Sequence, residues 1–403
     1  MNQPLSSAQV ELTVDIRWQS QGVTHLEHFF IQKLNTWRDL DSSSILFPVA
    51  QATRGETISI QCHPGEITGS YDPEKVIELK TNQLNFAPQN LVVGRFYPQG
   101  ILFGVPGIFK GNTNPFRLVD IDDCKAVVDL NHPLAKQELN LAITIIDTQI
   151  REKERGGSCT DWIQIILDGP GMQQRVHEDI PTHFTREEMV HREDEQPDRL
   201  FYQTDRLVPH IDAAASQQLS RLYSALIPSE DTVLDLMASW TSHLPENFAA
   251  KNIHGLGMNG NELAANPLLS HTIVQDLNEN QVLPFADHFF DAVICSLSVE
   301  YLVYPLQVFE QVGRILKPGG VFAVSFSNRW FPEKAIAIWK DLHDFERMGM
   351  VLEYFHDARC FEKFETFSVR GYPRPNDDSY ACRLSFSDPV FVIVGRKKCN
   401  NQV

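Results

Sequence analysis

The stretch LPFADHFFDAVICSLSVEYLVYPLQVFEQVGRILKPGGVFAVSFSN, from Leu283 to Asn328, decides the fold of the C-terminal half. Its first apolar run, FDAVICSL, is short and apolar on both faces, as a strand covered on both sides must be. YPLQVFEQVGRIL then changes to helical spacing, and after a Lys-Pro-Gly-Gly turn the run GGVFAVSF reads as a strand again. Strand, helix and strand in succession predict parallel neighbours, because a parallel pair needs a long crossover. Working outward, VLDL and IHGLGM supply two more buried strands, and SQQLSRLYSAL and PEKAIAIWKDL two more helices. The second half is therefore an α/β domain on a mostly parallel sheet.

The first half has a different texture. VELTVDI, ETISIQC and LNLAITIIDTQI alternate apolar and polar residues between Gly, Pro and Asn turns, which predicts a mainly β domain. Between them, residues 151–200 hold 19 charged side chains, 12 acidic and 7 basic, and read as a connector interrupted by the apolar patch DWIQIILDG. The expected division is residues 1–157, a charged connector at 158–199, and residues 200–398.

The chain has 403 residues, 42% of them apolar and 22% charged, with a net charge of −17. That balance argues against a broad nucleic-acid surface, whose affinity comes from lysine and arginine displacing counterions. The start of the sequence lacks a basic segment followed by an apolar run, and no stretch approaches about 20 uninterrupted apolar residues, so a cytoplasmic protein is expected. Seven cysteines without a CxxC pair, and His177, His183 and His191 at unequal spacing, point to no disulfide framework and no metal site.

Leu283 to Asn328 resembles the second half of a class I S-adenosylmethionine-dependent methyltransferase, a Rossmann-like fold. LPFADHFFDAV, Leu283 to Val293, and ILKPGG, Ile315 to Gly320, are its most specific parts, and the resemblance covers about Leu200 to Phe355. It implies S-adenosylmethionine as cofactor, with Asp235 and Leu236 opening the cofactor loop, Asp276 and Leu277 at the adenine, and Ser296, within Cys295 to Ser298, on the methyl-transfer side. Read without the family, Asp276 is a turn residue after a strand. The loop itself is atypical: Met237, Ser239 and Thr241 stand where the family uses glycines. Gly257, followed by Met258 and Asn259, stands where an acid commonly accepts both ribose hydroxyls. Either Ser239, Thr241, Met258 and Asn259 line a re-shaped site, or the fold survives as a scaffold. Upstream, Tyr202, Arg206 and His210 fall where such enzymes lid the active site, and Arg329 and Trp330 on the opposite rim are candidates for lining a substrate entrance, Trp330 reading equally as a packing anchor. His210 is the candidate base, since an imidazole titrates near neutrality. Asp212 reads equally as a helix cap or a site residue.

In the first half, AVVDLNHPLAKQELNLAITIIDTQIREKE, from Ala126, resembles the closing segment of the SlyD type of FKBP-like prolyl isomerase, and TGSYDPEKVIEL, from Thr68, resembles the opening of that family's inserted flap domain. The resemblance implies an FKBP-like domain with an insert at about 82–131 that binds a protein or peptide client through Phe96, Phe103 and Phe109. Thr68 replaces an aromatic residue of the family's pocket, so weak or absent isomerase activity is expected. Two functions follow: a methyltransferase carrying a peptide-binding module, or a non-catalytic chaperone or assembly factor built from both folds.

Overall fold

A computed structural model describes residues 8–40, 44–85, 91–150, 156–174, 176–177, 180–182, 184, 190–245, 248 and 252–399. Parts of the segment read as a connector, including 151–155, 185–189 and His183, lie outside the described residues, as do residues 86–90 of the insert. The chain divides into two compact units, residues 1–184 with 343–349, and 185–342 with 350–403. The expected connector is thus shared between them. No helix among the described residues is long and apolar enough to cross a membrane.

The first unit is built on β1 (Ala8–Ser20) and β2 (Val23–Asn35), a hairpin closed by Gln21 and Gly22 at φ 49° and 78°. Two left-handed residues match the turn to the twist of the strands. β3 (Thr57–Cys62) and β8 (Leu139–Ile150) complete a sheet in the order β2-β1-β8-β3. Val10, Leu12, Val14, Ile16 and Trp18 lie on one face of β1 and are buried with Leu141, Ile143 and Ile145 of β8. α1 (Trp162–Leu167), capped by Asp161, seats Ile166 and Leu167 in the same core. Between β3 and β8 the chain makes a second sheet from β4 (Val76–Lys80), β5 (Phe96–Pro98), β6 (Pro115–Ile121) and β7 (Lys125–Asp129), in the order β4-β7-β6-β5. Its core is its own: Leu79, Leu84, Leu102, Phe116, Leu118 and Val128 are all buried. The inserted sheet therefore begins at Val76. Phe103 and Phe109 are 74% and 68% exposed, whereas Phe96 is buried at 8% under the Arg117 guanidinium. Phe96 therefore lies outside any exposed client surface, a correction whose physical reason is its burial beneath Arg117. A short pair, β9 (Val176–His177) and β10 (Ile180–Pro181), follows.

The second unit carries β11 (Val233–Leu236), β12 (Ile253–Gly257), β13 (His271–Val274), β14 (Phe290–Ser296), β15 (Leu316–Phe326), β16 (Phe361–Arg370) and β17 (Val390–Lys397) in the order β13-β12-β11-β14-β15-β17-β16. The first five are parallel; β17 runs antiparallel to β15 and β16. The order turns back at β11, which lies between β12 and β14, and that reversal opens a crevice at the carboxyl ends of the strands. Helices α2 (Asp198–Tyr202) and α3 (Ala213–Leu226) precede these strands, and α4 (Gly260–Ala265), α5 (Pro305–Ile315) and α6 (Ala337–Asp341) follow within the unit; α7 (Asp344–Asp357) belongs to it from Met350 on. α5 starts on Pro305 and buries Val308, Phe309, Val312 and Ile315 at helical spacing. α6 is shorter than PEKAIAIWKDL predicts. Lys334 is fully buried, and its Nζ donates to the carbonyls of Asp194 and Gln196, which holds the preceding residues in a turn. Asp212 caps α3 by accepting from the Ala214 and Ala215 amides at 2.9 and 3.1 Å, and also accepts from Ser387 Oγ and the Asp388 amide.

Gly257 decides how the loop after β11 is laid down. A Cβ there would fall on the Ala238 carbonyl oxygen, while one at Gly255 meets the movable end of Leu269. Gly257→Ala should therefore destabilise the protein by about 2 kcal/mol, through forced displacement of backbone, and Gly255→Ala by clearly less. Equal shifts of the two variants in urea unfolding would contradict this packing.

Candidate active site

The crevice at the reversal point holds a cavity of about 230 Å³ lined entirely by residues of the second unit. Its floor is the loop after β11. Met237 takes φ 59° and His243 φ 53°, left-handed conformations that cost a side-chain-bearing residue about 1 kcal/mol each. The loop is held by its backbone: the Ala238 amide donates to Leu256 O at 2.8 Å, and Asn266 Nδ2 donates to Ser239 O at 2.9 Å. Trp240 Nε1 donates to Val208 O at 3.1 Å, tying the segment before α3 to the same loop. Three side chains are accommodated because the loop lies flat on Gly257 and turns Met237, Ser239 and Thr241 toward the cavity rim.

Asp235 is 1% exposed and lines the cavity, and its Oδ2 has no hydrogen-bond partner among the described residues. Burial drives its carboxyl up to about 7, against a hydrogen bond from Ser242. Glu262 of α4 also lines the cavity at 8% exposure; its Oε1 accepts from the Arg206 amide at 2.7 Å and its Oε2 from Ser239 Oγ at 2.5 Å. Asp276, after β13, is raised by burial and accepts from the Asn278 amide, so it shapes its turn while its carboxylate borders the cavity.

His210 lies across from these acids. Its pKa is lowered, first by burial and then by Arg329 and Arg206, with Glu262 pulling the other way, so the ring is a neutral imidazole at pH 7. Arg206 stacks on Phe201 and Phe331, 4.2 and 5.4 Å from the ring centres, and donates to the Phe201 and Thr204 carbonyls. Arg329 pairs with Asp388 at 3.2 Å and lies over Tyr380.

The cavity gathers Tyr202, Arg206, His210, Asp235, Ser239, Thr241, Met258, Asn259, Asp276, Leu277, Ser296, Arg329 and Trp330. Leu236 is the exception: it is fully buried in β11, because alternation along a strand turns it away from the crevice. Cys295 is likewise buried within β14, leaving Ser296, Leu297 and Ser298 at the lining. Asn259 reaches the cavity wall with its amide occupied, accepting from the Asn261 and Glu262 amides and donating to Tyr202 O and Asp205 Oδ1. Asp212 is a cap and lies off the cavity. Glu262 and His243 were not anticipated. Glu262 sits one turn into a six-residue helix, where helical geometry points its side chain back toward the strand ends. His243 enters because its backbone is left-handed, which nothing in the residue type signals.

Residues 239–324 match the family described as "Methyltransferase domain". The chain is 49% identical over 76 residues to the biotin biosynthesis bifunctional protein BioHC of Teredinibacter turnerae, covering 19% of this chain and 13% of that protein. It is 28% identical over 106 residues to the ubiquinone/menaquinone biosynthesis C-methyltransferase UbiE of Bartonella bacilliformis, covering 26% of this chain and 38% of that one. The chain thus spans well under half the length of these curated relatives. Among solved structures it is similar to a SAM-dependent methyltransferase of Thermotoga maritima, with 17% identity, a TM-score of 0.35 and coverage of 47% and 90% of the two chains. A second similarity is to an S-adenosylmethionine dependent methyltransferase of Mesorhizobium loti, at 17% identity, TM-score 0.30 and coverage of 44% and 96%. Residues 239–324 of the C-terminal part thus carry a methyltransferase-domain match, on a Rossmann-like sheet whose strand order reverses at β11.

Proposed function

We propose that the C-terminal unit transfers the methyl group of S-adenosylmethionine to an acceptor admitted between Arg329, Trp330 and His210. The observation that carries this reading is Asp235: a carboxylate 1% exposed, with one oxygen unpartnered, in a cavity at the reversal point of the sheet. A buried acceptor of that kind calls for a donor, best a cationic one, and the methionine end of the cofactor carries an ammonium. When bound, the cofactor supplies a methyl group on a sulfonium, already activated for transfer. The chain's own part is then to hold the acceptor in line, exclude water with Tyr202, Trp330 and Phe331, and take up a proton. His210 fits the last task, since its depressed pKa leaves the ring free to accept a proton at neutral pH.

In the first unit, the reading is an FKBP/SlyD-like module with an inserted flap domain, binding a protein or peptide client and isomerising proline weakly or not at all. What supports it is the separate four-stranded sheet inserted between β3 and β8, with Phe103 and Phe109 exposed on it.

Calorimetry with S-adenosylhomocysteine should give binding in the micromolar range, weakened about tenfold by Asp276→Ala if this residue takes the adenine amine. No heat at millimolar ligand would leave the scaffold reading, and unchanged affinity in the variant would move the adenine elsewhere.

Asp235 also sets the pH dependence. The carboxylate form holds the ammonium, so affinity should rise about tenfold from pH 6 to pH 8, following ionisation about a pKa near 7, and flatten above. Asp235→Asn should abolish the slope. In the unliganded protein the folded-state pKa exceeds the unfolded value, so this group's contribution to stability falls as pH rises from about 4 through 7.

For the first unit, the double substitution Phe103→Ser, Phe109→Ser should weaken suppression of aggregation of an unfolded client several-fold without lowering the melting temperature, both rings being exposed. Unchanged suppression would rule out this surface.

A further inference from the structure

The wall of the cavity beside β12 lacks the group expected of it and holds another nearby. Gly257 at the strand end carries no side chain, and none can be added without displacing the Ala238 carbonyl. Met258 offers no strong acceptor, and the amide of Asn259 is fully engaged. The acceptor capacity left on this wall belongs to Glu262. An ionised carboxylate has about four lone-pair positions. Glu262 fills one on each oxygen, from the Arg206 amide and Ser239 Oγ. At 8% exposure it has no ion-pair partner among the described residues, and it lines the cavity. Buried acceptors of this kind are completed by a donor, and adjacent donors on one ligand are the best match for the two oxygens of a carboxylate. Asp235, with its unpartnered Oδ2, lines the same cavity two strands from Asp276.

Strand order says which part of the ligand lies there. Asp235 is the penultimate residue of β11, Asp276 follows β13, and β12 runs between the two strands. A molecule with its ammonium at Asp235 and its adenine at Asp276 must cross the end of β12 with its middle, and the middle of S-adenosylmethionine is the ribose. We propose that Glu262 accepts the ribose hydroxyls of the cofactor, from the first turn of α4 instead of the strand end. This rests on the methyltransferase reading above.

Glu262 also joins α4 to the loop and to the segment before α3, so its removal could act through structure alone. Glu262→Gln separates the two roles. The amide keeps an acceptor for the Arg206 N–H and turns its NH₂ to Ser239, whose hydroxyl can accept, but loses the charge and the second acceptor oxygen, so it can no longer take both hydroxyls of a diol. The experiment is calorimetry of the full chain with S-adenosylhomocysteine and its 2′,3′-dideoxy counterpart, with thermal unfolding as a control. The wild-type protein should prefer the diol compound about tenfold or more. Glu262→Gln should lose most of that preference, its affinity for the diol compound falling toward the wild-type affinity for the dideoxy compound. Glu262→Asp, which keeps the charge and shortens the reach, should lose most of the preference too and serves if the glutamine variant unfolds.

Retention of the preference in these variants, or its absence in the wild type, would overturn the assignment while leaving the methyltransferase reading intact. A changed pH profile with the preference retained would likewise overturn it, assigning Glu262 to His210. Wild-type protein that binds neither compound would overturn both.

Discussion

At the end of β12 the Ala238 carbonyl occupies the space that a side chain at position 257 would need. The Ala238 amide is fixed to Leu256 O at 2.8 Å, so the loop after β11 is pinned against its neighbouring strand by one peptide unit. Two consequences run through the site. No acid fits at the strand end, and the loop no longer needs glycine to come close, since the close approach has been made on the other partner. The requirement for glycine has moved from the loop to the strand. Met237 still sits at positive φ, which shows that the path of the backbone is kept and its strain is carried by the surrounding hydrogen bonds.

The cavity formed this way is acidic by subtraction. Asp235, Glu262 and Asp276 face it, and the two arginines that also line it are committed elsewhere: Arg206 to aromatic faces and carbonyls, Arg329 to Asp388 and Tyr380. Asp198, a further lining acid, is neutralised by Arg192 and Lys334 and held below its ordinary pKa despite burial. What remains is a set of acceptors suited to a cationic, hydroxyl-bearing ligand, beside an imidazole that burial keeps neutral. The charge of −17 over the whole chain says little about ligands; three acids in one crevice with no ion-pair partner among the described residues say more.

In the first unit the inserted sheet solves a small-domain problem. Its core of Leu79, Leu84, Leu102, Phe116, Leu118 and Val128 draws on short strands and on the bridge between Leu84 and Leu102, while Phe96 is buried apart from that cluster, beneath Arg117. Phe103 and Phe109 come after β5, where Gly104 and Gly107 at φ 73° and 80° turn the chain repeatedly. A loop shaped by such turns holds apolar rings outward that a strand would have alternated inward. That contrast separates the three phenylalanines.

Much of this was legible in the sequence, and the parts that were not share a cause. The strands and α5 followed from apolar spacing, because burial on one or two faces leaves a period behind. The lining residues followed where they stand at strand ends, a position set by topology. Leu236 falls outside the lining because alternation along β11 sends Asp235 to the crevice and its neighbour into the core. Asn259 and Glu262 form a pair in which the polar residue nearer the strand end spends its amide on capping α4, freeing the acid one turn on to face the cavity. Capping and ligand contact ask for the same residue types, so composition cannot tell them apart; only the hydrogen-bond inventory can. Lys334 shows the same limit for helices. Its charge reads as a solvated face, yet its full burial beneath the Asp194 and Gln196 carbonyls is what shortens α6. Periodicity reports where apolar groups go, and the polar groups that shape this site are placed by pairings that periodicity does not record.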